Sequence, residues 1–292
     1  MRTSRTPYPL FAAALLWTLT ALAAVPNAGT WTATAHDDKL QLNFHFQEHN
    51  NLGIGVARSA FQGLSTADGD TKFQLVREAG TLSFEGRFAA GEGAGHYQFS
   101  PNAAYQQEMA KLGYPDISPD EQLQFALFDL GPARVKALAE LGYTKLSHDA
   151  LLQVAIFQVT PEHIRALKAA GYDKLSMDDL VASRIHGVTP EHIRELAGVG
   201  LSKLDFDDLV ATRIHGVTAQ FIREVKGLGF ANPSLEDLLS MRIHGVTPEY
   251  VREIREAGYP NVTLEQLVEM RIHAIDSNYV RSLSGNKKAG GK

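Results

Sequence analysis

From Leu40 to Phe46 apolar and polar residues alternate, with Leu40, Leu42, Phe44 and Phe46 on one side and Gln41, Asn43 and His45 on the other. A period of two predicts a half-buried β-strand. Trp31-Thr-Ala-Thr ahead of it predicts a partner strand, with His36-Asp37-Asp38-Lys39 as the turn. Phe73-Gln-Leu-Val, Leu82-Ser-Phe-Glu-Gly-Arg-Phe and His96-Tyr-Gln-Phe predict three more short strands. Their connectors, Glu78-Ala79-Gly80 and Gly91-Glu-Gly-Ala-Gly95, read as glycine-containing hairpins. Residues 29–100 are therefore expected to form a small antiparallel β domain of about five or six strands, whose modest core leans on the helical remainder of the chain.

From residue 102 the period becomes helical and the chain repeats itself. Arg-Ile-His occurs at 184–186, 213–215, 242–244 and 271–273, a step of 29 each time. Gly113, Gly142, Gly171, Gly200, Gly229 and Gly258 keep the same step. Six repeats fill Asn102–Ile275, and half of a seventh covers Asp276–Leu283. Each unit reads as two short helices. The first is capped in one column by Asn102, Gly131, Thr160, Thr189, Thr218, Thr247 and Asp276. All but the glycine offer a side-chain oxygen to an orphan N–H. Pro132, Pro161, Pro190 and Pro248 follow at the first helical position, where a missing N–H costs nothing. Stripes such as Ile164, Leu167, Ala170 and Val251, Ile254, Ala257 then run to the terminating glycine. The second helix is capped by Ser118, Ser147, Ser176, Asp205, Ser234 and Thr263. Glu121, Asp179, Asp208, Asp237 and Gln266 stand three residues on, as in capping boxes, with Ala150 the exception. It ends at Gly187, Gly216 and Gly245, with Arg and His in its last turn, where the helix dipole favours cations.

Two ten-residue helices cannot bury their own stripes, but stacked neighbours can. The expected fold class is thus α+β: a small N-terminal antiparallel β domain, then over 102–283 an α-solenoid of six 29-residue helical hairpins plus a half repeat. Residues 284–292 are expected to be a disordered tail.

Residues 1–24 add a third segment. Arg2 and Arg5 precede an uncharged, mostly apolar run from Leu10 to Ala24, and Ala21-Leu22-Ala23 offers small residues for cleavage. This is the pattern of a secretory signal peptide. As a helix the run would rise about 22 Å, short of a bilayer core of roughly 30 Å. The mature chain is expected to be periplasmic or extracellular, with no stable membrane insertion after cleavage. Losing Arg2 and Arg5 takes the net charge from −5 to −7. An acidic balance of 28 Lys+Arg against 33 Asp+Glu argues against a nucleic-acid partner, even though short hairpins ending in glycine are shared with helix–hairpin–helix modules. The absence of cysteine excludes disulfides, thiolate catalysis and cysteine-held metal clusters.

His45-Phe-Gln-Glu-His49 matches the H-x-x-E-H string of inverted zinc peptidases. That chemistry needs both histidines on one helix face, whereas a strand would hold them about 13 Å apart. A polar strand face is the reading, and neither metal nor cofactor is expected. Gly91–Gly95 lacks the spacing of a phosphate loop and precedes a strand. No catalytic residues emerge.

The remaining candidate is the ladder of Arg184, Arg213, Arg242 and Arg271 with His186, His215, His244 and His273. Arg165, Arg194, Arg223 and Arg252, with Arg281, make a second column in the first helices. Stacking would align these columns into a groove for an anionic or acidic peptide, with histidine tuning it by pH. The same residues could instead be internal glue, bonding helix-terminal carbonyls. Glu162, Glu191 and Glu249 lie three residues before an arginine, a spacing for ordinary surface pairs. The histidine column holds Phe128 and Phe157 in the first two units, so a half-buried ring is expected there rather than a metal ligand.

Phe84-Glu-Gly-Arg-Phe, Gly91-Glu-Gly-Ala-Gly-His-Tyr-Gln-Phe, Pro101-Asn, Glu108-Met-Ala-Lys-Leu-Gly-Tyr and the repeat starting at Arg242 carry a likeness that covers about 29–283. They resemble poorly characterised bacterial exported repeat proteins and the extracytoplasmic C-terminal region of some beta-lactam-sensor-type membrane metallopeptidases. The peptidase part, with its H-E-x-x-H helix, is absent here. The resemblance implies a sensing or scaffolding module and no catalyst. The expected function is a non-enzymatic scaffold for a protein or peptide, with the oligomeric state open. The rivals are an exported hydrolase with a site where sheet and repeats meet, and a sensor of cell-wall fragments.

Overall fold

The computed structural model describes residues 27–47 and 50–286. The signal-peptide reading of residues 1–24, His49 and the end of the expected tail lie outside them. The described chain is α+β: seven strands in one antiparallel sheet, then thirteen helices. It divides into two units, one to Ile156 and one from Phe157.

In the first unit the strands are β1 (Ala28–His36), β2 (Lys39–Gln47), β3 (Asn50–Ala57), β4 (Phe61–Gln62), β5 (Gly69–Arg77), β6 (Gly80–Ala89) and β7 (Glu92–Pro101). Their order is β3-β2-β1-β7-β6-β5-β4. β3 and β4 are opposite edges, yet only the single 3₁₀ turn Arg58–Ala60 separates them in sequence. Four trans peptide steps span at most about 15 Å. The sheet therefore has to curl until its edges approach. Its concave face is aromatic: Phe73 stacks on Phe84 at 4.7 Å, and Trp31 meets both edge-on.

The hairpin at Asp37-Asp38 and the in–out alternation of β2 follow the sequence pattern. Two features do not. β3 was not expected, because Gly53 and Gly55 stand at the outward positions between Leu52, Ile54 and Val56, where a strand would show polar side chains. Those glycines leave room for Asn43 and Gln41 on the neighbouring strand. Gly91–Gly95 is not a loop either: only Ala90-Gly91 turn, and Gly93 and Gly95 sit in β7.

The same unit carries α1 (Ala103–Lys111), α2 (Pro119–Leu127), α3 (Pro132–Glu140) and α4 (His148–Ile156). These four helices belong to the repeat by sequence but to the sheet by packing, sharing one core with it. The fully buried Gln122 amide ties α2 to the sheet, donating to Ala79 O (2.6 Å) and Asn102 O (2.9 Å). Gly131 breaks the cap column because the Glu78 carboxylate occupies the space its side chain would need.

The second unit holds α5 (Pro161–Ala169), α6 (Met177–His186), α7 (Pro190–Gly198), α8 (Phe206–Ile214), α9 (Ala219–Gly227), α10 (Leu235–Ile243), α11 (Pro248–Glu256), α12 (Leu264–Ile272) and α13 (Ser277–Asn286). Helices two apart in the chain pack together: α6 on α8, α7 on α9, α10 on α12 and α11 on α13. Their stripes form one core that includes Leu209, Val225, Leu238, Val251 and Ile254. Thr160, Thr189, Thr218, Thr247 and Asp276 cap as expected. Ser176, Ser234 and Thr263 close full capping boxes. Asp205 does not: it makes no side-chain cap bond, and burial with Asp205 and Asp207 nearby pushes the Asp208 carboxyl up. α13 continues to Asn286, three residues into the expected tail.

Every second helix from α2 on ends at a left-handed residue: Asp129, Gln158, Gly187, Gly216, Gly245 and Ala274, with φ between 54° and 69°. Glycine adopts that geometry freely, whereas a β-carbon costs about 1 kcal/mol or more there. Ala274→Gly is therefore expected to stabilise the chain by about 1 kcal/mol in urea unfolding. An unchanged or lowered midpoint would refute the assignment.

Candidate binding site

The left-handed stop at each second helix leaves its last carbonyls without intrahelical partners. An arginine of the following unit takes them. Arg184 Nε donates to Phe157 O (3.1 Å), Arg213 Nε to His186 O (3.1 Å) and Arg242 Nε to Gly216 O (2.8 Å). A ring 21 residues back supports the guanidinium: Arg242 lies over Phe221 at 4.2 Å and Arg271 over Tyr250 at 3.9 Å. Arg271 keeps the stacking but not the bond, since its buried Nε has no hydrogen-bond partner among the described residues. The first helices use the same device. Lys226 Nζ donates to Val199 O and Arg255 Nη1 to Leu228 O, both at 2.7 Å.

The ladder is thus anchored inside the unit while its arginines face solvent. Arg184, Arg213 and Arg242 are exposed and Arg271 is half-buried. No carboxylate lies within ion-pair distance of any of the four among the described residues. His186 is half-buried, but His215, His244 and His273 are exposed, so the half-buried ring expected for this column is found once. His273 Nε2 lies 3.6 Å from Glu269.

The second basic column takes the exposed positions its spacing implies. Arg165 pairs with Glu162 at 3.3 Å, Arg194 with Glu191 at 2.6 Å and Arg252 with Glu249 at 3.3 Å. Arg223 is exposed. The glutamates are held below the usual carboxylate range chiefly by first-turn backbone N–H groups, with the arginines contributing less at 162 and 191. Exposed pairs of this kind contribute little to stability.

Two histidines outside both columns have built surroundings. His163 Nε2 sits 2.6 Å from Ser183 Oγ, and His192 Nε2 sits 2.8 Å from Thr212 Oγ1. Each hydroxyl already donates to a helix carbonyl, Leu180 O or Leu209 O, at 2.6 Å. The hydroxyl oxygen is left to accept, so each Nε2 carries the proton of a neutral ring. Burial lowers both pKa values, and Arg184 beside His163 and Arg213 beside His192 lower them further; Glu195 opposes this at His192. Unfolded histidine titrates near 6.5. The depressed folded values mean that stability is complete above that pH and is lost as pH falls below it. The melting temperature should therefore drop between neutral pH and about pH 5. His163→Gln with His192→Gln should flatten that drop, and an unchanged profile in the double variant would refute the assignment.

The apolar residue between each Arg and His is a further feature that the sequence pattern did not single out. Ile185, Ile214, Ile243 and Ile272 are 50–56 % exposed. Ile185 lies about 140° around the helix from buried Leu180 but only about 40° from buried Val181, at the edge of the packed stripe. An apolar residue recurring at the edge of the stripe, between two basic side chains, is the signal that could have found them.

In the sheet, His45 lies 3.1 Å from Thr32 Oγ1 and 2.8 Å from Asn51 Oδ1. Among the described residues no group of His, Cys, Asp and Glu is placed to hold a metal, and no helix is long and apolar enough to cross a membrane. No protein-family model matches the chain, and no curated protein or solved structure matches it either.

Proposed function

We propose that this chain is an exported, non-enzymatic scaffold that binds a protein or peptide along the ends of its second helices. In this reading the helices from α5 onward stack as hairpins of an α-solenoid, each presenting the same side chains one step further along. One observation carries it: four consecutive units place an isoleucine, half exposed, beside an arginine that has no carboxylate partner among the described residues. The arginine's anchoring bonds explain its place in the fold. The isoleucine belongs to neither packed core. A single exposed isoleucine is ordinary, but a repeated one marks an interaction surface. The resemblance to exported sensing and scaffolding proteins points the same way.

The test is a peptide-display selection against the full chain, with bound ligands located by hydrogen exchange. Protection should fall on the C-terminal turns of α6, α8, α10 and α12. Protection confined to the sheet, as for a cell-wall-fragment site, or turnover of the ligand would overturn the reading.

A further inference from the structure

We infer that the isoleucine row is a track for an extended acidic peptide in the polyproline II conformation, with an apolar side chain at every third residue. This rests on the peptide-binding proposal and specifies its ligand.

Spacing is the first argument. α6 packs on α8 and α10 on α12, and Arg213 and Arg242 reach the carbonyl end of the preceding second helix. Packed helices lie about 8–10 Å apart, so successive isoleucines are separated by about that distance. A polyproline II helix advances about 9.3 Å per three-residue turn, which matches. A β-strand repeats each face about every 6.8 Å and falls out of step. A ligand helix, about 10–12 Å wide, would overlie the arginines flanking a row only one side chain across. Three steps from Ile185 to Ile272 cover about 28 Å, the length of a ten-residue segment.

Charge is the second argument. Among the described residues the four arginines beside the row lack carboxylate partners, on a chain whose net charge is −5. Arg184 and Arg213 are held by Nε and Arg242 by Nε and Nη2, which leaves the remaining terminal N–H groups to meet carboxylates. A second copy is a poorer occupant, because a two-fold contact would set arginine row against arginine row.

The experiment is fluorescence anisotropy on the full chain with a labelled peptide of four Leu-Glu-Pro units. Binding is expected, weakening as salt rises and falling about tenfold for Ile214→Ser with Ile243→Ser. Both side chains are exposed, and circular dichroism checks that the variant folds. Two further peptides carry four Leu-Glu-Glu-Pro or four Leu-Lys-Pro units. Equal binding of either would overturn the register or the charge argument and leave the general peptide-binding reading standing. Failure of Leu-Glu-Pro to bind, or indifference to the isoleucine variant, would overturn the inference. So would a dimer abolished by that variant. The display selection has its own outcome, so the two readings fail separately.

Discussion

Gly95→Ala is expected to destabilise the first unit by about 3 kcal/mol or more, among the largest effects of any single substitution here. A β-carbon at Gly95 would run into the backbone carbonyl of Glu85 and lie 2.6 Å from Gly86 Cα. Gly86 is its cross-strand partner, and a β-carbon there would meet the Ala94 carbonyl and come within 2.8 Å of Trp31. Backbone atoms cannot swing aside as a side chain can. The paired glycines let β6 and β7 approach closely where the sheet curls, and Trp31 is fixed beside them by its Nε1 bond to His96 O (3.0 Å). Gly53→Ala is the matched control. Its β-carbon meets only side-chain tips, those of Asn43 and Gln41, so a cost below about 1 kcal/mol is expected. Urea unfolding followed by far-ultraviolet circular dichroism measures both. Similar midpoints for Gly95→Ala and the parent would show that the strands are not held at this distance.

Those glycines also show where a sequence stops being legible. In the pattern Gly91–Gly95 looks like a flexible hairpin, because glycine's local meaning is freedom. Its reason here is a close approach to residues ten positions away, which no local window contains. β3 was hidden in the same way. The helical part was readable because its rules are local: Thr189 caps at three residues' distance, and the 29-residue step repeats the message. Partners 20 to 27 residues off were not readable. His163 and His192 look like surface residues of a first turn until Ser183 and Thr212 come beside them. The arginine ladder was visible as a column. Its anchoring to Phe157 O, His186 O and Gly216 O depended on how neighbouring helix ends meet, and so did the exposure of the isoleucines.

Tyr250→Ala is expected to cost about 3–5 kcal/mol, and Tyr250→Phe about 1 kcal/mol, in urea unfolding. Tyr250 is 2 % exposed, and its ring lies within the core of the second unit. Its hydroxyl donates to Ile275 O at 2.6 Å, and Arg271 rests on its face. Tyr105 makes the equivalent bond in the first unit, donating to Leu130 O 25 residues on, at 3.0 Å. His163 and His192 fill the same column with a different partner, so the position ties its helix to the next helix or its end in several units. Phenylalanine would keep the packing and the arginine's platform while leaving one carbonyl unmatched. Alanine would remove the platform as well. The stability and the placement of the ladder therefore share a residue. Tyr250→Phe should bind the Leu-Glu-Pro peptide as the parent does, whereas Tyr250→Ala, compared where it remains folded, should bind it more weakly because Arg271 is no longer held. Equal costs for the two variants would assign the clasp to the hydroxyl alone. Unchanged peptide affinity in folded Tyr250→Ala would detach Arg271 from the track.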